Sequence, residues 1–102
     1  MENISEASGV TPTPIRPSGP RLDITNAHLL TDKALAQHDA GATALIIDMS
    51  EIDFVDSSGI GALVGLRRRL KHGSVTLLNV GGFVATVLSK TKTAPLFEMT
   101  ST

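Results

Sequence analysis

The chain has 102 residues, 41% hydrophobic and 19% charged; this fits one soluble globular domain and excludes a collagen, a coiled-coil rod and a wholly disordered chain. Nine Lys and Arg stand against ten Asp and Glu, a formal charge of −1, so net positive charge gives no general affinity for nucleic acid. With no Cys, disulfides, cysteine nucleophiles and thiolate metal sites are ruled out, and three Phe with no Trp or Tyr point away from aromatic platforms for bases.

Residues 1–14 read as an arm, flexible or forming an edge strand, ahead of a domain over 15–102. Pro12, Pro14, Pro17 and Pro20 each remove a backbone donor and fix φ, which restricts any strand here to an edge. Met1 to Gly9 lacks the basic start and apolar stretch of a signal peptide. No apolar run approaches the roughly 20 residues that span a bilayer. A cytoplasmic protein without membrane insertion is the expectation.

Regular structure is expected from about Leu22. Thr25 or Asn26 suits the N-cap of a first helix, with Asp23 near its positive end. Ala27, Leu30, Ala34 and Leu35 recur at helical spacing, and Gly41 suits the helix end. Ala44 to Met49 is a short apolar run between turn signals, which predicts a strand buried on both faces. A second helix is predicted from Ser57 to about Lys71 or His72, a strand over Val75–Val80, and a third helix over Phe83–Lys90. Leu96 to Met99 reads as a last short strand. This order predicts an α/β fold, with a mixed, mostly parallel sheet of about four strands and helices packed on it.

The stretch Ile52-Asp-Phe-Val-Asp-Ser-Ser-Gly-Ile-Gly carries the most information. It delivers Asp56, Ser57 and Ser58 to the start of a helix, where free N–H groups and the helix dipole favour negative charge. Spacing leaves two readings open, a plain helix cap and a seat for a phosphate. Along that helix Ile60, Leu63, Leu66 and Leu70 share the face expected to meet the sheet. Ser57, Gly61, Gly65 and Arg68 face the other way, with Val64 at the edge. Two glycines in a helix each cost about 1 kcal/mol relative to alanine, so the smooth stripe suits close approach by another protein or is merely tolerated. Arg67, Arg68, Arg69 and Lys71 read as a solvated face near the helix C-terminus. Asp48 and Asp53 read as structural or solvated.

No catalytic or cofactor set emerges. His28, His38 and His72 lack metal-ligand spacing, no nucleophile–His pair accompanies the aspartates, and Gly81-Gly82 is not followed by a phosphate-loop lysine. The expectation is a non-enzymatic protein with no cofactor and no metal.

Asp56-Ser57-Ser58-Gly59-Ile60-Gly61, with Leu45-Ile-Ile-Asp48, Ile52-Asp-Phe-Val55 and Gly19-Pro-Arg-Leu-Asp23 before it, resembles the signature of the STAS domain, in particular the stand-alone bacterial anti-sigma-factor antagonists. The resemblance runs over roughly residues 15 to 99, and the expectation is a fold whose N-terminal edge and C-terminal helix are reduced. It implies a STAS-like fold and binding to an anti-sigma factor serine kinase. It further implies that the kinase phosphorylates Ser57, with Ser58 as the alternative acceptor, and that a phosphoserine phosphatase reverses this. The implied partner surface is Asp23, Asp56, Ser57, Ser58, Gly61, Val64, Gly65 and Arg68, with Ser58 also expected as a helix cap. A second class, a STAS subunit of a lipid-transport ATPase complex at a membrane, would bind its partner constitutively.

Overall fold

The computed structural model describes residues 12–101. The predicted arm over 1–14 falls mostly outside them. Five strands and three α-helices follow in chain order: β1 (Arg21–Leu22), α1 (Ala27–Asp39), β2 (Ala44–Asp48), β3 (Phe54–Val55), α2 (Ser57–Arg69), β4 (Ser74–Val80), α3 (Gly82–Lys90) and β5 (Glu98–Ser101). A 3-10 turn at Ala94–Leu96 precedes β5.

The expected single mixed sheet is two sheets, and every pairing among the described residues is parallel. The larger has the order β2-β4-β5 and the smaller pairs β1 with β3. Just after the arm, Ile15 joins β2 through an isolated parallel bridge. Ile15 N–H donates to the Ile46 carbonyl at 2.9 Å, and Asp48 N–H donates back to Ile15 at 2.8 Å. Gln37 of α1 holds the arm from the other side, accepting from Thr13 N–H and donating to its carbonyl.

Hydrophobic burial follows the predicted periodicities. Leu45 and Ile47 of β2 and Leu77 of β4 are fully buried. Leu63 and Leu66 of α2 and Leu70 just past its end pack into the same core, while Ile60 is partly buried against it. Ala27, Leu30 and Ala34 are the buried face of α1, and α1 packs against α2. Burying one such leucine contributes roughly 1.5–3 kcal/mol. Gly41 adopts φ 111° beyond α1 and donates to the His38 carbonyl, the left-handed end that glycine favours.

Two boundaries differ from expectation: the last strand spans Glu98–Ser101 rather than Leu96 to Met99, with Leu96 in the 3-10 turn, and the second helix stops early. Helix α2 ends at Arg69, short of Lys71, because Leu70 leaves helical geometry at ψ 77°. Arg67 is not merely solvated: its guanidinium donates to the Leu96 and Leu70 carbonyls, tying the helix end to the last turn. In β4, Asn79 adopts φ 58°, and the β4–β5 register shifts between Leu77 and Val80. Asn tolerates this left-handed backbone better than most residues. The bulge turns the Asn79 amide towards Asp48.

Asp48 is the one charged residue buried among those described. It accepts from the Asn79 side chain at 3.1 Å, Ser50 N–H at 3.0 Å and Arg16 at 3.2 Å. These donors, the Asn79 amide foremost, outweigh desolvation and hold its pKa down from 3.8 to about 2. A depressed carboxylate pKa contributes stability that is present above the unfolded-state pKa and lost as pH falls through the folded-state value. Asp48→Asn is therefore expected to cost on the order of 2 kcal/mol at pH 7 and to flatten the loss of stability between about pH 4 and pH 2. Urea unfolding at pH 7 and pH 3 measures both effects.

Candidate partner-binding site

The smaller sheet builds the site. Arg21 lies opposite Phe54 and Leu22 opposite Val55, so the next rung sets Asp23 beside Asp56. Two backbone groups flanking Asp23 engage Asp56. Asp56 N–H donates to the Leu22 carbonyl at 3.3 Å, and Ile24 N–H donates to Asp56 Oδ2 at 3.3 Å. The other carboxylate oxygen of Asp56 accepts from Gly59 N–H at 2.9 Å, which makes Asp56 the N-cap of α2. The two readings of this stretch thus separate by residue. Asp56 caps the helix, and Ser57 at its first position is exposed. Ser58, expected as a cap residue, is the second residue of the helix and half-buried; Asp56 already supplies the acceptor a cap provides.

Asp23 does not sit at the positive end of α1 as a free charge. Its carboxylate accepts from Thr25 N–H and hydroxyl and from Arg21 Nε at 3.1 Å. The Thr25 hydroxyl and N–H, followed by Arg21, hold its carboxyl below the usual range. Asn26 occupies the N-cap position of α1 but makes no side-chain cap. Its amide turns back instead, accepting from Asp23 N–H at 2.9 Å and donating to the Arg21 carbonyl at 2.8 Å. The predicted cap residues therefore fix the loop that carries Asp23 rather than the helix itself.

On α2, Gly61, Gly65 and Arg68 are exposed in line with Ser57, and Val64 is half-buried. A Cβ on Gly61 or Gly65 would meet no atom within 4 Å, so the fold itself does not require either glycine. Gly61→Ala is expected to raise stability by up to ~1 kcal/mol while weakening partner binding, as unfolding and binding titrations on one sample would show. Gly59 is different and was not evident from the sequence. A Cβ there would stand 2.3 Å from the Leu22 carbonyl oxygen, so glycine lets β1 and α2 touch.

Sequence reading also missed the surface beside Asp23. The Arg21 guanidinium lies 4.1 Å from the centre of the Phe54 ring. Phe54 stacks on Phe83 with ring centres 5.7 Å apart. Phe83 is 52% exposed and Ile24 74% exposed, so apolar area flanks the acidic pair. No sequence signal pointed to it, because β1 and β3 are two residues each and give no periodicity to detect. The histidines stay apart from any cluster. His28 and His72 are exposed, and His38 Nδ1 lies 3.2 Å from the Ala42 carbonyl. Among the described residues no group of three His, Asp or Glu could hold a metal. No helix among them is long and apolar enough to cross a membrane.

Comparison with known proteins extends this picture. The STAS domain profile matches residues 3–102. No curated protein matches the chain at a significant level. Among solved structures, the anti-sigma factor antagonist SpoIIAA in its unphosphorylated form superposes with a TM-score of 0.74 at 26% identity, over 88% of this chain and 80% of that one. The phosphorylated form of the Bacillus cell fate determinant SpoIIAA gives 0.66 at 25% identity, over 88% and 83%. The Thermotoga maritima protein TM1081 shares the fold, with a TM-score of 0.74 at 22% identity over 87% and 80%. A profile spanning nearly the whole chain, together with three helices packed on parallel strands as in these structures, establishes that the chain belongs to the STAS domain family.

Proposed function

We propose that this protein is an anti-sigma factor antagonist that works by partner switching. It binds an anti-sigma factor serine kinase, which frees the sigma factor, and it is switched off when that kinase phosphorylates Ser57. The observation that carries this reading is an exposed Ser57 at the start of an Asp56-capped helix, in a chain similar to SpoIIAA. In the transfer the Ser57 hydroxyl oxygen bonds to the γ-phosphorus of ATP, ADP leaves and the hydroxyl proton is released. A phosphoserine phosphatase restores the hydroxyl by hydrolysing the ester O–P bond with water, releasing inorganic phosphate. The protein acts as a binding module and supplies only the acceptor oxygen.

The switch is electrostatic. A phosphate adds about −1.5 to −2 charges to a surface that already carries Asp23 and Asp56. The free N–H groups of the α2 first turn stabilise that charge within the protein, so the fold persists. A partner docked over the same surface must desolvate the charge and meets three like charges together. Gly61, Val64, Gly65 and Arg68 extend the docking face along α2, and Ser58 is the secondary acceptor.

Incubation with the serine kinase of the same organism and ATP tests the proposal, read by mass mapping of the phosphate. One phosphate on Ser57, absent from Ser57→Ala, is the expected result. No phosphate on either serine, with stable co-purification of a transporter ATPase, would overturn it in favour of a constitutive transporter subunit.

A further inference from the structure

The cation beside the acidic pair is not absorbed by the switch as described. Arg21 is exposed, with 56% of its side-chain surface open, yet it is held on two sides. Its Nε donates to Asp23 at 3.1 Å, and its guanidinium lies over Phe54 at 4.1 Å. The strand register sets that carboxylate beside Asp56, and Ser57 is the next residue. An Arg side chain is flexible along its stem, and its planar fork matches a phosphate better than it matches a single carboxylate oxygen. The present Asp23 contact uses only one guanidinium nitrogen.

We infer that Arg21 is the counter-charge of the modified state: when Ser57 carries a phosphate, the Arg21 guanidinium leaves Asp23 and Phe54 and pairs with it. The inference rests on Ser57 being the modified residue. The charged groups facing the phosphate are then Asp23 and Asp56, which oppose it, and Arg21, which favours it. A doubly charged phosphate outcompetes a singly charged carboxylate for an arginine that can reach both. The move has a structural consequence. Phe54, with Phe83 stacked on it, loses its cationic cover as the negative charge appears, so modification alters both the charge and the apolar part of the surface. Arg21 is thus a positioning residue for the phosphate rather than a contact of the unmodified state alone.

The full chain with phosphoserine encoded directly at position 57, without any kinase, separates this inference from the identity of the phosphorylating enzyme. The probe is the 31P resonance of that phosphate followed over pH. In Arg21→Ala the midpoint of its second ionisation is expected to rise by about 0.5 pH units or more, and Arg21→Lys is expected to recover at least half of that shift. The Phe54 and Phe83 ring proton resonances are expected to move on phosphorylation in the parent chain and to stay in place in Arg21→Ala. Equal 31P midpoints in the parent and Arg21→Ala, or no recovery with Lys, would overturn the inference. Arg21 is exposed, so the variants keep the fold, which unchanged circular dichroism verifies.

Discussion

Ser57→Asp is expected to bind the anti-sigma kinase about 100-fold more weakly than the parent chain, close to 2.7 kcal/mol, while Ser57→Ala binds as the parent does. The contrast follows from where Ser57 stands. It is exposed at the first position of α2, and the capping role belongs to Asp56. Removing its hydroxyl leaves the Asp56–Gly59 hydrogen bond at 2.9 Å untouched. Adding a carboxylate brings a third negative group beside Asp23 and Asp56, and like charges juxtaposed in an interface cost several kcal/mol. Titration calorimetry of both variants against the kinase, with unfolding curves alongside, separates binding from folding. Equal affinity of the two variants would remove charge as the basis of the switch. Similar weakening by Ala would mean that the hydroxyl itself is a contact.

The sequence was legible where burial imposes a period. Leu63 and Leu66 repeat along α2, with Leu70 keeping the spacing just past its end, and the run Ala44 to Met49 is long enough to declare a strand, observed at Ala44–Asp48. Helix boundaries were legible where glycine ends the element, as at Gly41. The Asp56-Ser57 start of α2 was legible because capping chemistry narrows the residues that can stand there. What stayed hidden depends on contacts between distant segments. The division into two sheets depends on β1 and β3, two residues each, too short for alternation to show. The Asp48 network needs the left-handed Asn79, 31 residues away. The Arg21–Phe54–Phe83 surface joins three elements. Each is a tertiary choice that local propensity does not encode.

Gly59 makes that point at the site itself, and Gly59→Val is expected to lower stability by about 3 kcal/mol. Glycine in a helix is ordinarily a defect, and alanine at an open position such as Gly61 gains up to ~1 kcal/mol. The sign reverses at Gly59. A Cβ there would lie 2.3 Å from the Leu22 carbonyl oxygen, a backbone atom with no rotamer to retreat into. Relief requires β1 to move away from α2. That movement stretches the Asp56 N–H bond to Leu22 and the Ile24 bond to Asp56 Oδ2, both already 3.3 Å. Asp23 would then shift relative to Ser57, so loss of partner affinity should accompany loss of stability even in the fraction that folds. Urea unfolding of Gly59→Val beside Gly61→Ala, with amide exchange at Leu22 and Asp23, tests the coupling. A stability gain at both glycines would show that β1 yields freely, and the close approach would then not be what holds Asp23 in register with Ser57.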